Sequence, residues 1–399
     1  MPQPPRLLMI PSWYPDNANP EVGSFFKNQA VLLQQRYEIR VLFGYSPYLG
    51  RRSLYSRYHW FRTRELGKTL LDSIQDPIPT MRFNYGYWWM GERLLLTAAI
   101  NGYRKMLNRL ISEGWKPDII HAQCVELAGI VTARLSDEFN IPWVLTEHQR
   151  FGLANYSEFR QTLIRKALTT ATIAVVSQHL LRCIAIHNID QPMAVVGNLI
   201  DEELFQFSQP QKEVKPFRIL TAMWPGMFKD PETFFHAIAI LIQNGHKDLE
   251  VTVIGKKLFS EANVDEFQRL AEKYHVQEVC RLISYVPHAE MPQYYAKSDV
   301  FVSTSVEETF GIAVREAMAV GKPVVCTASG GVDDDVFEFN GIKVAIHDFN
   351  GVAAGLMAIK TGAIQYDPIR IREYVVSKYG RQAFINIMSA VFDDAIQGK

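Results

Sequence analysis

Short apolar runs rich in valine and isoleucine alternate with longer amphipathic stretches, and this alternation runs along the chain twice. In the first series, residues 6–10, 38–43, 118–121, 143–146, 173–176 and 193–196 read as buried strands, with helical patterns such as 24–35 and 91–112 between them. Strands too short to cover themselves, each followed by a helix, predict βαβ units and a parallel sheet. The pattern breaks at residues 201–215, DEELFQFSQPQKEVK, which are polar and without period. It then restarts with strand-like runs at 218–222, 250–254, 281–286, 300–304, 323–327 and 342–346, separated by helical patterns that include 231–244, 264–273 and 311–320. The expectation is two α/β domains of similar size joined near 201–216, repeated in fold type and not in sequence. Ligands of open α/β sheets bind outside the carboxyl ends of the strands, so the chemistry is sought in the loops that follow them.

Composition supports two cores: of 399 residues, 48% are hydrophobic. A net charge of zero, 42 basic against 42 acidic residues, disfavours nucleic-acid binding through phosphate neutralisation. No apolar run approaches the roughly 18 residues of a membrane span. In residues 1–14 only 7–10 form an apolar core, so no signal peptide is expected. The cysteines Cys124, Cys183, Cys280 and Cys326 are isolated, which fits a reducing cytoplasm better than a metal cluster or disulfide framework.

GxGxxG after a strand, GxxxxGK[ST], HExxH and GxSxG are all absent, which removes support for dinucleotide, P-loop, zinc-peptidase and hydrolase chemistry. Asp333-Asp334-Asp335 reads as an acidic helix start, and no metal is expected there. The informative segment is 305–331, SVEETFGIAVREAMAVGKPVVCTASGG, which follows the strand at 300–304. Glu308 is expected in the loop and Glu316 about a turn into the next helix. Thr309-Phe310-Gly311 then falls at the helix N-terminus, where unpaired N–H groups and the dipole favour an anion. Gly311 leaves room for a phosphate, and carboxylates accept strong bonds from sugar hydroxyls. The combination reads as a sugar-nucleotide site. Taken alone, Glu316 would be a surface residue of an amphipathic helix, Lys229 a solvated lysine, His148 a hydrogen-bonded strand-end residue and Gly23 a turn.

The segment resembles the E-x7-E region of retaining glycosyltransferases of family four, which have the GT-B fold. The resemblance extends over nearly the whole chain, through Pro11-Ser12-Trp13-Tyr14-Pro15, the run from Gly23 to Gln29, Thr146-Glu147-His148 and Val196-Gly197-Asn198. It implies two Rossmann-like α/β domains facing each other across a cleft. Residues 1–206, joined by a C-terminal helix at about 380–399, would bind the acceptor, and 207–379 the nucleotide sugar. It also implies roles. Glu308 would bind hydroxyls of the transferred sugar and Glu316 the ribose. The N–H groups of Phe310 and Gly311, with Lys229, would hold the diphosphate. Gly23 would let a loop close on the phosphate, His148 would face the reacting sugar, and Val286 would lie where the base is met through the backbone. Glu308, His148 and Lys229 are the expected catalytic set.

One departure stands out: the family's diphosphate-clamping Gly-Arg is replaced here by Met223-Trp224, and its usual glycine after the lysine by Asp230. Loss of that clamp should be costly unless another cation substitutes. The resemblance as a whole still implies a retaining, metal-independent transferase, using a nucleoside-diphosphate sugar and a glycan or lipid-linked acceptor, with no cofactor. The rival readings are a sugar-nucleotide epimerase and a non-catalytic subunit of the same fold. Residues 48–68 carry Arg51, Arg52, Arg57, Arg62, Arg64 and Lys68 among Tyr55, Tyr58, Trp60 and Phe61, which suits an anionic membrane surface. The expected place is the cytoplasm, peripheral to the inner membrane face.

Overall fold

A computed structural model describes residues 3–16, 20–45, 77–85, 91–209, 216–224, 226–255 and 264–398. The basic aromatic segment 48–68 lies outside the described residues. The chain divides into two compact units, one of Met1–Val176, Leu180–Val196 and Ile385–Lys399, the other of Ser177–His179 and Gly197–Phe384.

The first unit holds a parallel sheet of β1 (Arg6–Pro11), β2 (Glu38–Tyr45), β3 (Thr80–Asn84), β4 (Ile119–Gln123), β5 (Trp143–Glu147), β6 (Thr172–Val175) and β7 (Met193–Val195), in the order β3-β2-β1-β4-β5-β6-β7. Every residue of β4 and β5 is buried. That explains why each opens on consecutive apolar residues, Ile119-Ile120 and Trp143-Val144-Leu145, rather than alternating. β3 was not expected. It is a five-residue edge strand, TMRFN, whose buried Arg82 donates to the Pro15 carbonyl at 2.9 Å and breaks the apolar signal.

The second unit holds β8 (Phe217–Ala222), β9 (Leu249–Ile254), β10 (Cys280–Ile283), β11 (Val300–Ser303), β12 (Val324–Thr327) and β13 (Gly341–Val344), ordered β10-β9-β8-β11-β12-β13 and all parallel. Phe234, Phe235, Phe267, Val251, Val253, Val300 and Val302 centre its core. Truncating such a phenylalanine to alanine costs about 3–5 kcal/mol.

In both sheets the order reverses beside the first strand, between β1 and β4 and between β8 and β11. Crossovers leave in opposite directions there, which opens a crevice at the carboxyl ends of those strands. The polar stretch after residue 200 is less loose than its composition suggests. Phe205 is buried, and Arg372 donates to the carbonyls of Phe205 at 2.5 Å and Glu202 at 3.0 Å. No helix among the described residues is long and apolar enough to cross a membrane.

Candidate functional site

In the second unit the loops after β8 and β11 meet at the strand-order reversal. Backbone and side-chain bonds stitch them together: Val306 N–H donates to the Phe228 carbonyl at 2.9 Å, and Thr304 Oγ1 donates to the carbonyls of Lys229 at 3.2 Å and Asp230 at 2.8 Å. This places Lys229 Nζ in an ion pair with Glu308 Oε1, the oxygen that also accepts from Ser305 Oγ at 2.7 Å. The backbone of Glu308 is fixed as well, since its N–H donates to the Ser329 carbonyl and its carbonyl accepts from Gly331 N–H, each at 2.8 Å. Lys229 and Glu308 thus form one half-buried unit, and Lys229 is not merely solvated.

Glu308 lies in the loop, and the helix Ile312–Ala319 starts after Gly311. Gly311 caps it at φ +76, where a Cβ would come within 2.4 Å of Val332 Cγ1, so only glycine fits. The first N–H groups of that helix have no partner within it and carry the positive end of its dipole. Beside them, buried Arg315 donates to the carbonyls of Phe310 and of Gly331, the latter at 3.0 Å, and pairs with Asp335. Asp335 also accepts from Lys378 Nζ, from Tyr374 at 2.8 Å and from Tyr379 at 2.8 Å. Burial pushes the Asp335 carboxyl up, but the charges of Arg315 and Lys378 overcome it and hold it down at about 2. Asp333 and Asp335 therefore anchor the loop after β12, with Asp333 accepting from Gly330 N–H at 3.2 Å.

Glu316 is buried, contrary to a surface-helix position. Its Oε1 is bonded to His288 Nε2 at 2.7 Å and its Oε2 accepts from Tyr295 at 3.0 Å. Val286 is buried in the loop after β10, next to exposed Tyr285. In the loop after β8, Met223 is buried with its N–H on the Ile254 carbonyl at 2.8 Å, while Trp224 is exposed. Exposed Met227 and Phe228 follow it, which makes this loop apolar up to Lys229.

In the first unit, Gly23 caps the helix Ser24–Leu33 at φ +76, with Trp13 O only 2.7 Å from where a Cβ would sit. His148, at the end of β5, is buried against Phe26 at 5.1 Å and Phe25 at 5.5 Å, and its Nε2 is bonded to Gln123 Oε1 at 2.7 Å. Preceding it, fully buried Glu147 accepts from the N–H groups of Val125, His148 and Gln149, each at 2.8 Å. Burial pushes this carboxyl up against those three bonds. The carboxylate ties the loop after β4 to the loop after β5. That loop is unusual, with Cys124 at φ 72 and Leu127 at φ 62, ψ −66.

The structure thus joins Lys229 with Glu308, sets Phe310 and Gly311 at the adjoining helix start, and gives Glu316 its own two partners. His288, Tyr295 and Arg315 are not singled out by the sequence, and Asp335 only as part of the acidic run 333–335, without its partners. Only Arg315, a charge among Val314, Ala317 and Met318 in a helix buried on most sides, left a trace there.

Residues 63–204 match the family described as Glycosyltransferase Family 4, and residues 205–360 match Glycosyl transferases group 1. A glycogen synthase of Mycobacterium tuberculosis is 24% identical over 349 residues, covering 84% of this chain and 82% of that one. A D-inositol 3-phosphate glycosyltransferase of Corynebacterium glutamicum is 26% identical over 244 residues, 55% of this chain and 58% of the other. Among solved structures, sucrose-phosphate synthase from Thermosynechococcus elongatus superposes with a TM-score of 0.72 at 17% identity, covering 99% of this chain and 100% of that one. Anabaena Alr3699/HepE in complex with UDP and glucose gives 0.71 at 16%, covering 98% and 100%. The fold is GT-B, with two Rossmann-like α/β domains. The sequence matches support a nucleotide-sugar glycosyltransferase similar to family four.

Proposed function

We propose that the protein is a retaining, metal-independent glycosyltransferase that moves a sugar from a nucleoside-diphosphate sugar to a hydroxyl of a glycan or lipid-linked acceptor. The observation that carries this reading is the Lys229–Glu308 pair at the strand-order reversal of the second sheet, beside the helix that starts after Gly311. A diphosphate there meets a lysine cation and the N–H groups of Phe310 and Gly311, while Glu308 receives hydroxyls of the transferred sugar and Glu316 those of the ribose. As the bond from the anomeric carbon to the diphosphate oxygen loosens, negative charge grows on the leaving phosphate, and preorganised donors stabilise it. The acceptor oxygen then bonds to the anomeric carbon from the same face, and its proton passes to the leaving phosphate. Gly23 and His148 serve the phosphate loop and the reacting sugar in this reading, and Val286 the base. The metal-free reading is supported by Asp335, whose carboxylate is committed to Arg315, Lys378, Tyr374 and Tyr379.

The names of the relatives favour polysaccharide or glycoconjugate assembly. Residues 48–68 would then hold the protein at the inner face of an anionic membrane. Arg51, Arg52 and Arg57 changed together to glutamate are expected to abolish salt-sensitive binding to anionic vesicles. Wild-type protein that ignores such vesicles at low salt removes this part of the proposal.

One observation favours a second reading: exposed Trp224 supplies no charge where the family has its arginine, as a non-catalytic nucleotide-binding subunit would permit. The anomeric configuration of the product, read by proton NMR, decides. A product with the donor's configuration supports the proposal. An inverted product contradicts retention, acceptor-free isomerisation marks an epimerase, and binding without turnover marks the silent subunit.

A further inference from the structure

Glu316 is held by two donors, one on each oxygen of its carboxylate. We infer that His288 is a positioning residue that sets this carboxylate to read two adjacent hydroxyls, so that the second unit discriminates ribonucleotides from deoxyribonucleotides. This rests on the reading above that Glu316 receives the ribose.

An ionised carboxylate has about four acceptor sites, two on each oxygen. His288 Nε2 occupies one on Oε1 at 2.7 Å, and Tyr295 occupies one on Oε2 at 3.0 Å. One site on each oxygen is left, which is the pattern that a vicinal diol fills with two parallel bonds. Because a carboxylate only accepts, His288 Nε2 carries its proton in this bond. Tyr295 is fully buried, and burial pushes its hydroxyl up, so it stays a donor. Phe205, also buried, packs edge-on against both rings, with centroids 5.4 Å from His288 and 5.9 Å from Tyr295. The two donors are therefore braced by one side chain. The terminal torsion of a glutamate is broad. A carboxylate anchored at Oε2 alone turns about that anchor, and its two remaining sites no longer match a diol. His288 is the partner that reaches solvent, its side chain 38% exposed against 7% for Glu316, so it stands at the open side of the site.

The test is calorimetric titration with uridine, adenosine and guanosine diphosphates, and with the 2′,3′-dideoxy form of whichever binds most tightly. Wild type is expected to prefer the ribonucleotide by about tenfold or more, because a site built for hydroxyls rejects the analogue that lacks them. His288→Ala is expected to lose about tenfold for the ribonucleotide, the size of one net hydrogen bond, and little for the dideoxy form. His288→Gln, whose amide donates, should restore the preference. His288→Phe keeps a ring beside Phe205 and removes the donor, and it carries the test should the alanine variant not fold. In a Glu316→Ala background, His288→Ala should add nothing. Equal losses for the two nucleotides, or a further loss in that background, mark a merely structural histidine and overturn the inference. If Glu316→Ala alone leaves the ribose preference intact, the assignment of Glu316 fails and this inference with it. If no diphosphate binds, the proposed function fails.

Discussion

Lys229 shows how a residue's environment decides its chemistry. Its ammonium is paired with the Glu308 carboxylate, so in the proposed reading it is already oriented before a phosphate arrives. With Trp224 uncharged, it is the cation on which the proposed diphosphate contact of the β8 loop depends. Losing a preorganised charge at a leaving group costs about 10² to 10³ in rate. Lys229→Ala is expected to lower turnover by at least that much, and Trp224→Arg to tighten diphosphate binding. Near-wild-type turnover in the first and no gain in the second would show that this loop does not face the diphosphate. Sequence placed Lys229 through a resemblance, yet its pairing was not legible, because a lysine in a loop carries no period. His121 is a second residue whose role lies in its surroundings. Burial, and to a lesser degree His148, lowers its pKa to about 3, with Nε2 bonded to Thr146 Oγ1 at 2.7 Å. The unfolded chain takes up a proton near pH 6.5 and the native state does not. Stability from this group is therefore full above about pH 6.5 and lost as pH falls towards 3, by up to about 1.4 kcal/mol per pH unit. Urea midpoints should show the gap between wild type and His121→Gln narrowing from pH 8 to pH 5. A gap that does not change with pH would contradict the buried neutral imidazole.

Elements with strong periodicity were legible, down to helix Val264–Lys273, whose bounds the pattern anticipated. The strands after them were legible to within a few residues. Strand β10 stops at Ile283 rather than 286. Edge strand β3 was missed because five residues with a buried arginine offer neither alternation nor an apolar run. What ties elements together was least visible, since it depends on residues far apart in sequence. Arg315 on the helix Ile312–Ala319 and Asp335 in the following loop draw in Tyr374, Lys378 and Tyr379 from around the helix Pro368–Tyr379. Removing one partner of a buried pair costs about 3–5 kcal/mol, because the other charge stays buried. Arg315→Met should approach that range, softened by the lysine and tyrosines that remain on Asp335. Arg315→Met combined with Asp335→Leu should recover part of the loss. Equilibrium unfolding of the three variants checks this, and a double variant worse than the single would contradict a simple charge pair.

At the scale of the whole molecule, the repetition of two α/β series was legible because each rests on many strands. The boundary was harder to see. The polar stretch 201–215 reads as a linker, yet Phe205 within it is buried and braces the Glu316 site. The chain also ends in the helix Arg381–Gln397, whose Phe392 packs edge-on against Tyr37 and His121 of the first unit, at 5.4 Å and 5.1 Å. Two open sheets with reversed strand order concentrate function in loops, and so the proposed donor site draws on residues from 229 to 316 rather than on one motif. The decisive measurement is nucleotide release by wild-type protein, incubated with a panel of nucleoside-diphosphate sugars with and without glycan acceptors. A glycosyltransferase with this site releases the nucleoside diphosphate in step with acceptor consumed, from one or a few donors, without added metal. No release from any donor with any acceptor, or the same release with the acceptor left out, would contradict it.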